Sequence, residues 1–458
     1  MKTAVPRLTL LIVFLSAWLA VAPIVANDDL KPKLEKYLAA CVDADQFNGS
    51  VLVAKDDTLL VSQGYGWANA ELRVPNTAQT RFRLGSITKQ FTAMAVMILQ
   101  EQDKLHVGDP VGTNVDDAPE AWNDVTIHHL LSHTSGIPSF TSFPDYPKKW
   151  MLPQTLPEMV ARFKDKPLEF EPGEKFAYSN SGYLLLGAII EKASDMTYEA
   201  FLRQEVFEPL GMLDTGYDHH ATILQNRAAG YTRDGDQLAN AAYIDMSQPH
   251  AAGALYSTVE DLLRWDRALT SGKLITAESK ATMFTPVRDN YAYGWSVQTR
   301  DGMTVTSHGG GINGFSTHIL RIPELQLCVV VLSNVESNTP GRISQDLTAI
   351  VLGKPYKLPK MRSVANVDPK IYDDYAGKYA FNPALVLTCT REGEHLMVQL
   401  TGQPKFEIYP ESETEFFLKV VDSQLSFARD DDGKITHVVL HQGGRDQEAK
   451  RVEDVEKK

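Results

Sequence analysis

The chain has 458 residues, 43% of them hydrophobic and 22% charged, the balance of a globular protein long enough for more than one domain. A formal charge of -13 with no basic cluster argues against nucleic acid or an anionic membrane surface as partner. Three cysteines are an odd count without a disulfide framework, and no thiol nucleophile is expected.

The first 26 residues read as a signal peptide. Lys2 and Arg7 precede a charge-free, mostly apolar run from Leu8 to Val25, which ends at Ala26 before Asn27-Asp28-Asp29. Cleavage after Ala26 predicts a periplasmic or secreted protein with no stable membrane insertion afterwards; an uncleaved anchor is the alternative, since the run is nearly long enough to span a bilayer. Next, Leu34, Leu38 and Cys41 share one face of an amphipathic helix, and Gly49 to Ala54 with Thr58 to Gln63 predict a hairpin across Asp56-Asp57.

Arg83-Leu-Gly-Ser86-Ile-Thr-Lys89 contains the only Ser-x-x-Lys of the chain. Phe91, Met94, Ala95, Ile98 and Leu99 follow at helical spacing, so Ser86 opens a buried helix with Lys89 on the same face one turn on. Partial desolvation near the positive end of a helix makes a lysine lose its proton more easily, which puts a base beside a nucleophile. The same helix start offers the Ser86 N–H to a developing oxyanion.

Two further motifs follow in order. Pro172-Gly-Glu-Lys-Phe-Ala-Tyr178-Ser-Asn180 carries the only Tyr-x-Asn, in which a phenol can shuttle a proton if cationic surroundings favour its phenolate, and an amide can donate to a substrate carbonyl. Ser307-His308-Gly309-Gly310-Gly311 lies between apolar strand-like runs; glycines there let a substrate backbone lie against a strand edge, while a tight turn is the plainer reading. Strands are expected around 293–299, 303–307, 315–322 and 327–333, with a helix near 341–352. Early strands pairing with late ones around a helical insert imply an α+β fold, an antiparallel sheet flanked by helices, with the motifs at the seam. Cys328 and Cys389 fall in strands and, like Cys41, read as buried small hydrophobes.

From Lys354 to about Asp368 the texture turns to Lys, Pro and Arg without periodicity, dividing the chain into 27–357, a linker 358–368, and 369–458. Short strand signals near 386–388, 395–400, 405–409, 415–419, 425–427 and 437–440 predict a small antiparallel barrel or sandwich at the end.

Together the three motifs resemble the penicillin-recognising serine hydrolases: class C β-lactamases, serine DD-peptidases and related esterases and D-amino-acid peptidases. Thr126 to Ile137, Ala252 to Ser257 and Tyr293-Gly-Trp295 extend the likeness, which spans roughly residues 30 to 355. The resemblance implies that Ser86 is acylated, that Lys89 and Tyr178 move protons, and that Asn180, His308 and Gly310 bind substrate. It also implies an oxyanion hole made of the Ser86 and Gly311 N–H groups. No cofactor or metal is implied, and the substrate would be a small ester or short peptide, such as a cell-wall peptide. His308 stands where many β-lactamases have lysine; a group largely neutral at pH 7 there counts against efficient β-lactamase activity. β-Lactamase and a penicillin- or peptidoglycan-binding protein of low turnover remain the alternatives, and an oligomer is compatible with the family. The terminal segment is similar to the lipocalin-like domain appended to such hydrolases.

Other architectures are set aside. There is no Gly-x-Ser-x-Gly elbow and no His followed by Glu. His128, His129 and His133 come without a carboxylate or thiol to complete a metal site.

Overall fold

Val51 and Val53 point to one side of their strand and Leu52 and Ala54 to the other, and all four are buried, so the strand must be covered on both faces. The computed structural model describes residues 27–452 except 236, 361, 420–422 and 443–444, and it supplies both covers. The predicted signal segment lies outside the described residues. Six antiparallel strands form the sheet: β1 (Gly49–Lys55), β2 (Thr58–Tyr65), β3 (Ser296–Arg300), β4 (Met303–Ile312), β5 (Phe315–Ile322) and β6 (Leu327–Ser333), in the order β3-β4-β5-β6-β1-β2. The first hairpin thus returns to pair with the last strand, Val51 opposite Val331.

On one face, the N-terminal helix α1 (Asn27–Asp43) sets Leu30, Leu34, Leu38 and Cys41 against Val51, Val53, Val329 and Val331, together with Ile343 and Leu347 of the helix Thr339–Val351. The other face, carrying Leu52, Val330 and Leu332, is covered by the helical part of the chain. Three helices of that part matter for the site: α2 (Thr88–Glu101), α3 (Ile127–Leu131) and α4 (Asn180–Ser194). The α+β class expected from the sequence is the one observed.

Local boundaries differ. The strand expected at 293–299 begins at Ser296, because Gly294 turns with φ +75° where a side chain would strike the Lys89 carbonyl. The strand expected to stop at 307 runs on to Ile312, so the glycines form strand and not a tight turn. The stretch read as helices and loops also holds short strands, Gly216–Tyr217 and Leu255–Ser257 among them.

Residues 354–360 and 362–368 carry no regular secondary structure. Beyond them, eight strands from Gly377–Asn382 to Arg445–Val452 close into an antiparallel barrel, the last pairing with the first. Tyr379, Leu387, Leu396, Val398, Phe416, Phe427 and Val438 fill its core. Cys41, Cys328 and Cys389 are buried free thiols. Among the described residues, no helix is long and apolar enough to cross a membrane.

Candidate active site

Helix α2 buries polar residues on one side, and they grip a neighbouring segment. The Thr88 hydroxyl accepts from the Leu255 N–H at 3.2 Å, and the Thr92 hydroxyl donates to the Ala251 carbonyl at 2.6 Å. Between them in the chain, Lys89 is wholly buried and its Nζ lies 2.8 Å from the Ala252 carbonyl. Two other oxygens lie beside the same nitrogen: Asn180 Oδ1 at 2.8 Å and Ser86 Oγ at 3.1 Å. Burial holds the Lys89 amine well below the usual lysine range. A neutral amine has two N–H groups, which suit the two carbonyl-type oxygens, since those can only accept; its lone pair then faces the Ser86 O–H.

Ser86 sits in a single 3-10 turn, Gly85–Ile87, that leads into α2. The first turn of a helix leaves its N–H groups without intrahelical partners, and the positive end of α2 adds its field. The turn packs against β4, which pairs with β3 only as far as Ser307 and thereafter with β5 alone. One edge of residues 308–312 is therefore bare. Gly85, with φ +54°, abuts it so closely that a Cβ there would lie 2.8 Å from the Gly311 nitrogen. Two backbone N–H groups, from Ser86 and Gly311, are thus brought to one end of the cleft. The neighbouring Gly310 faces the other way: a Cβ would sit 1.9 Å from the Leu84 carbonyl oxygen, so this glycine lets the strand close on the turn.

Asn180 opens α4 behind its N-cap Ser179, whose hydroxyl donates to the Ile137 carbonyl at 2.9 Å. Ser181 holds the Pro138 carbonyl at 2.8 Å, so the helix start fixes the 137–141 loop. The Asn180 amide nitrogen donates to Thr141 Oγ1 at 3.0 Å, and its backbone N–H to Ser139 Oγ at 3.1 Å. Ser139 and Thr141 carried no motif signal in the sequence.

Tyr178 lies 39% exposed at the mouth of the cleft, with the Lys89 ammonium position 4.8 Å from its ring centroid. Burial of its phenol end pushes it above the usual tyrosine value, and the facing Ser86 hydroxyl alone pulls back. The cationic surroundings that a phenolate would need are weakened, because burial drives the lysine beside it toward its neutral form. Tyr178 is a neutral O–H. His133, with its ring 4.2 Å from that of Tyr178, backs it, and its Nδ1 accepts the Ser179 N–H at 3.1 Å.

His308 is brought near but turned aside. Its Nδ1 lies 2.6 Å from the Gly309 carbonyl and so carries the proton, while Nε2 lies 2.9 Å from the Tyr291 hydroxyl and accepts from it. Burial first, then Lys89, lowers its pKa to about 3. Tyr291, which also packs on Tyr178 and His133, was not singled out by sequence.

A cavity of about 240 Å³ opens beside Ser86, lined by Gly85, Ser86, Asn180, Ala252 and Gly311 at one end and by Phe140, Tyr146, Trp150, Ile244 and Ile312 at the other. Segments 137–170 and 215–250 contribute Trp150 and Ile244 among others. His128 meets the Tyr293 hydroxyl at 2.6 Å and His129 caps α3, so these histidines have structural partners. Among the described residues, no group of three His, Cys, Asp or Glu side chains could hold a metal ion.

A family model described as Beta-lactamase matches residues 34–352, and one described as a domain of unknown function matches 361–453. Penicillin-binding protein 4* of Bacillus subtilis (strain 168) is 32% identical over 433 residues, covering 89% of this chain and 95% of that protein. The octameric penicillin-binding protein homologue from Pyrococcus abyssi superposes with a TM-score of 0.66 at 27% identity, over 92% of this chain and 99% of that one. The D-amino acid amidase from Ochrobactrum anthropi SV3 does so with a TM-score of 0.61 at 25% identity, over 71% and 98%.

Proposed function

The chain belongs to the β-lactamase and penicillin-binding-protein family of serine hydrolases, and from that premise we propose that it cleaves an ester or amide bond through an acyl-enzyme on Ser86. The observation that carries the reading is the surroundings of Lys89: a fully buried amine, with two acceptor oxygens to hold its N–H groups and the serine hydroxyl as its third neighbour.

In the proposed cycle, Lys89 takes the Ser86 proton as Oγ attacks the substrate carbonyl carbon. The oxyanion forms between the Ser86 and Gly311 N–H groups. As the tetrahedral intermediate collapses, the bond to the leaving group breaks. The leaving oxygen or nitrogen takes the proton of the Tyr178 O–H, and Lys89 restores that proton, so charge and protons balance. Water then attacks the ester on Ser86, giving up its proton to the same pair; the acid is released and the Ser86 hydroxyl re-formed. Asn180 keeps Lys89 in place through Oδ1, and its amide nitrogen stands at the cleft. His308 and Gly310 act on this machinery from behind: His308 by fixing Tyr291, Gly310 by letting β4 reach the Ser86 turn.

The amidase neighbour supports a short D-amino-acid amide or peptide, and the penicillin-binding relatives a cell-wall peptide, beside simple esters, as the substrates to try. Export through the N-terminal segment and a hydrolase unit ending near residue 357 are parts of the same proposal. Turnover of a panel of short esters, D-aminoacyl amides and a chromogenic cephalosporin tests it. We expect Ser86-dependent ester or amide hydrolysis exceeding that of the cephalosporin; hydrolysis of none of them would overturn the reading.

A further inference from the structure

Resting on that reading, we infer that the preferred substrate carries an uncharged, apolar acyl group of about one ring, with no carboxylate or ammonium beside the scissile carbonyl. The cavity at Ser86 has no charged side chain among its lining residues. Phe140, Tyr146, Trp150, Ile244, Pro249 and Ile312 make its wall; Ser86, Asn180 and Thr141 stand at the reacting end, and the further polar residue Asn313 gives its amide N–H to the Ala242 carbonyl at 3.0 Å.

The cavity receives the acyl side of the substrate. Tyr178, which protonates the leaving group in the proposed cycle, does not line it, so the leaving group departs on the opposite side of Ser86. Its volume of about 240 Å³ sets the size. An apolar cavity of ~150 Å³ accommodates benzene, so one ring and the carbonyl fit.

The charged groups nearest this wall are not among its lining residues. The Arg162 guanidinium lies 5.5 Å from the Phe140 ring centroid and 5.6 Å from that of Tyr146; it donates through Nη1 to Gln248 Oε1 at 3.3 Å, and its Nη2 lies 3.8 Å from an Asp145 carboxylate oxygen. Asp145 also holds Lys149 at 2.7 Å. Asp245, next to Ile244, turns its carboxylate to the Ser247 hydroxyl at 2.6 Å and to the Tyr243 hydroxyl at 3.1 Å. On the other side of the nucleophile, His308 is neutral with both ring nitrogens occupied, and burial pushes Lys89 toward its neutral form. A charged acyl substituent would therefore enter a cavity whose lining offers it no opposite charge, which is costly. A penicillin or a free C-terminal carboxylate would lack the cation that recognises it.

Matched pairs of p-nitrophenyl esters test this on the full chain: pentanoyl against succinyl, which adds a carboxylate, and 3-phenylpropanoyl against D-phenylalanyl, which adds an ammonium. We expect the neutral member of each pair to have a kcat/KM at least about tenfold higher, the discrimination expected of an apolar pocket. Ile244→Lys, which brings a cation to the wall, should narrow the succinyl gap by about tenfold. Equal or better turnover of the succinyl or D-phenylalanyl ester by the wild-type chain would overturn the inference while leaving the Ser86 mechanism intact. Failure to hydrolyse any ester, with no label on Ser86, would instead overturn the mechanism and this inference with it.

Discussion

Lys89 Nζ lies 3.1 Å from Ser86 Oγ, and among the described residues no other basic group is bonded to that hydroxyl and no carboxylate to the lysine. In the proposed mechanism the pair is a nucleophile and a base set one helical turn apart, and the burial of one decides the reactivity of the other.

The pH dependence follows from that burial. In the proposed cycle Lys89 works as a neutral amine, and desolvation depresses its pKa, so kcat/KM should rise with pH along a limb that belongs to Lys89. Lys89→Ala should lower kcat/KM by roughly a thousandfold or more, in the upper range for a positioned base. Lys89→Arg should not rescue it, because a guanidinium stays protonated. Steady-state kinetics from pH 4 to 9 on the three proteins would check both points; an active Arg variant would show that the charge, and not the base, is needed.

His308 should behave differently. Folded, it titrates at about 3; unfolded, near 6.5, so unfolding takes up a proton between those values. Its contribution to stability is therefore complete above pH ~6.5 and is lost as pH falls toward 3, by up to about 1.4 kcal/mol per pH unit. His318, buried with a pKa near 4, adds to the same slope. Calorimetry should show Tm falling from pH 6.5 to 4, less steeply in His308→Gln. The same variant should keep more activity than Lys89→Ala, since the imidazole holds Tyr291 and not the reacting atoms.

The two adjacent glycines should separate cleanly. Gly310→Ala would drive a methyl into the Leu84 carbonyl and should cost about 2 kcal/mol of stability along with activity. At Gly311 a Cβ meets nothing within 4 Å, so Gly311→Ala should fold within about 0.5 kcal/mol of the parent. Denaturant melts would compare them; an equally stable Gly310→Ala would mean that the strand is free to back away.

Sequence marked Ser86, Lys89 and the Tyr178-x-Asn180 pair because each is a local spacing on a helix or at its start. What it could not reveal is reached across the fold. The Ala252 carbonyl meets Lys89 only because Thr88 and Thr92 hold a segment some 160 residues away, and Thr141 meets Asn180 through a loop pinned by Ser179 and Ser181. His308 was legible as a position, but its orientation depends on Tyr291, a residue without a motif. Gly310 and Gly311 look alike in a run of glycine; strand alternation sends one toward Leu84 and the other to open space. In the barrel, the last strand, Arg445–Val452, escaped notice because its residues are mostly charged or polar.

The separate cores predict separable halves. The barrel cluster draws on residues 367–440 and Ala449, and the clusters of the larger part end at Tyr356. A chain ending near Lys357 should stay soluble and keep ester hydrolysis, as size-exclusion chromatography and a colour assay would show. Aggregation of that truncated chain would mean that the halves share a stabilising contact.

Ser86 itself bears the whole account, and covalent labelling tests it most directly. Incubation with a phosphonate or an activated ester, followed by peptide mass spectrometry, should place the adduct on the peptide containing Ser86, with none on Ser86→Ala. That variant should fold normally, alanine being a good helix former, and lose hydrolysis. Turnover by Ser86→Ala at the parent rate, or an adduct on any other residue, would contradict the mechanism.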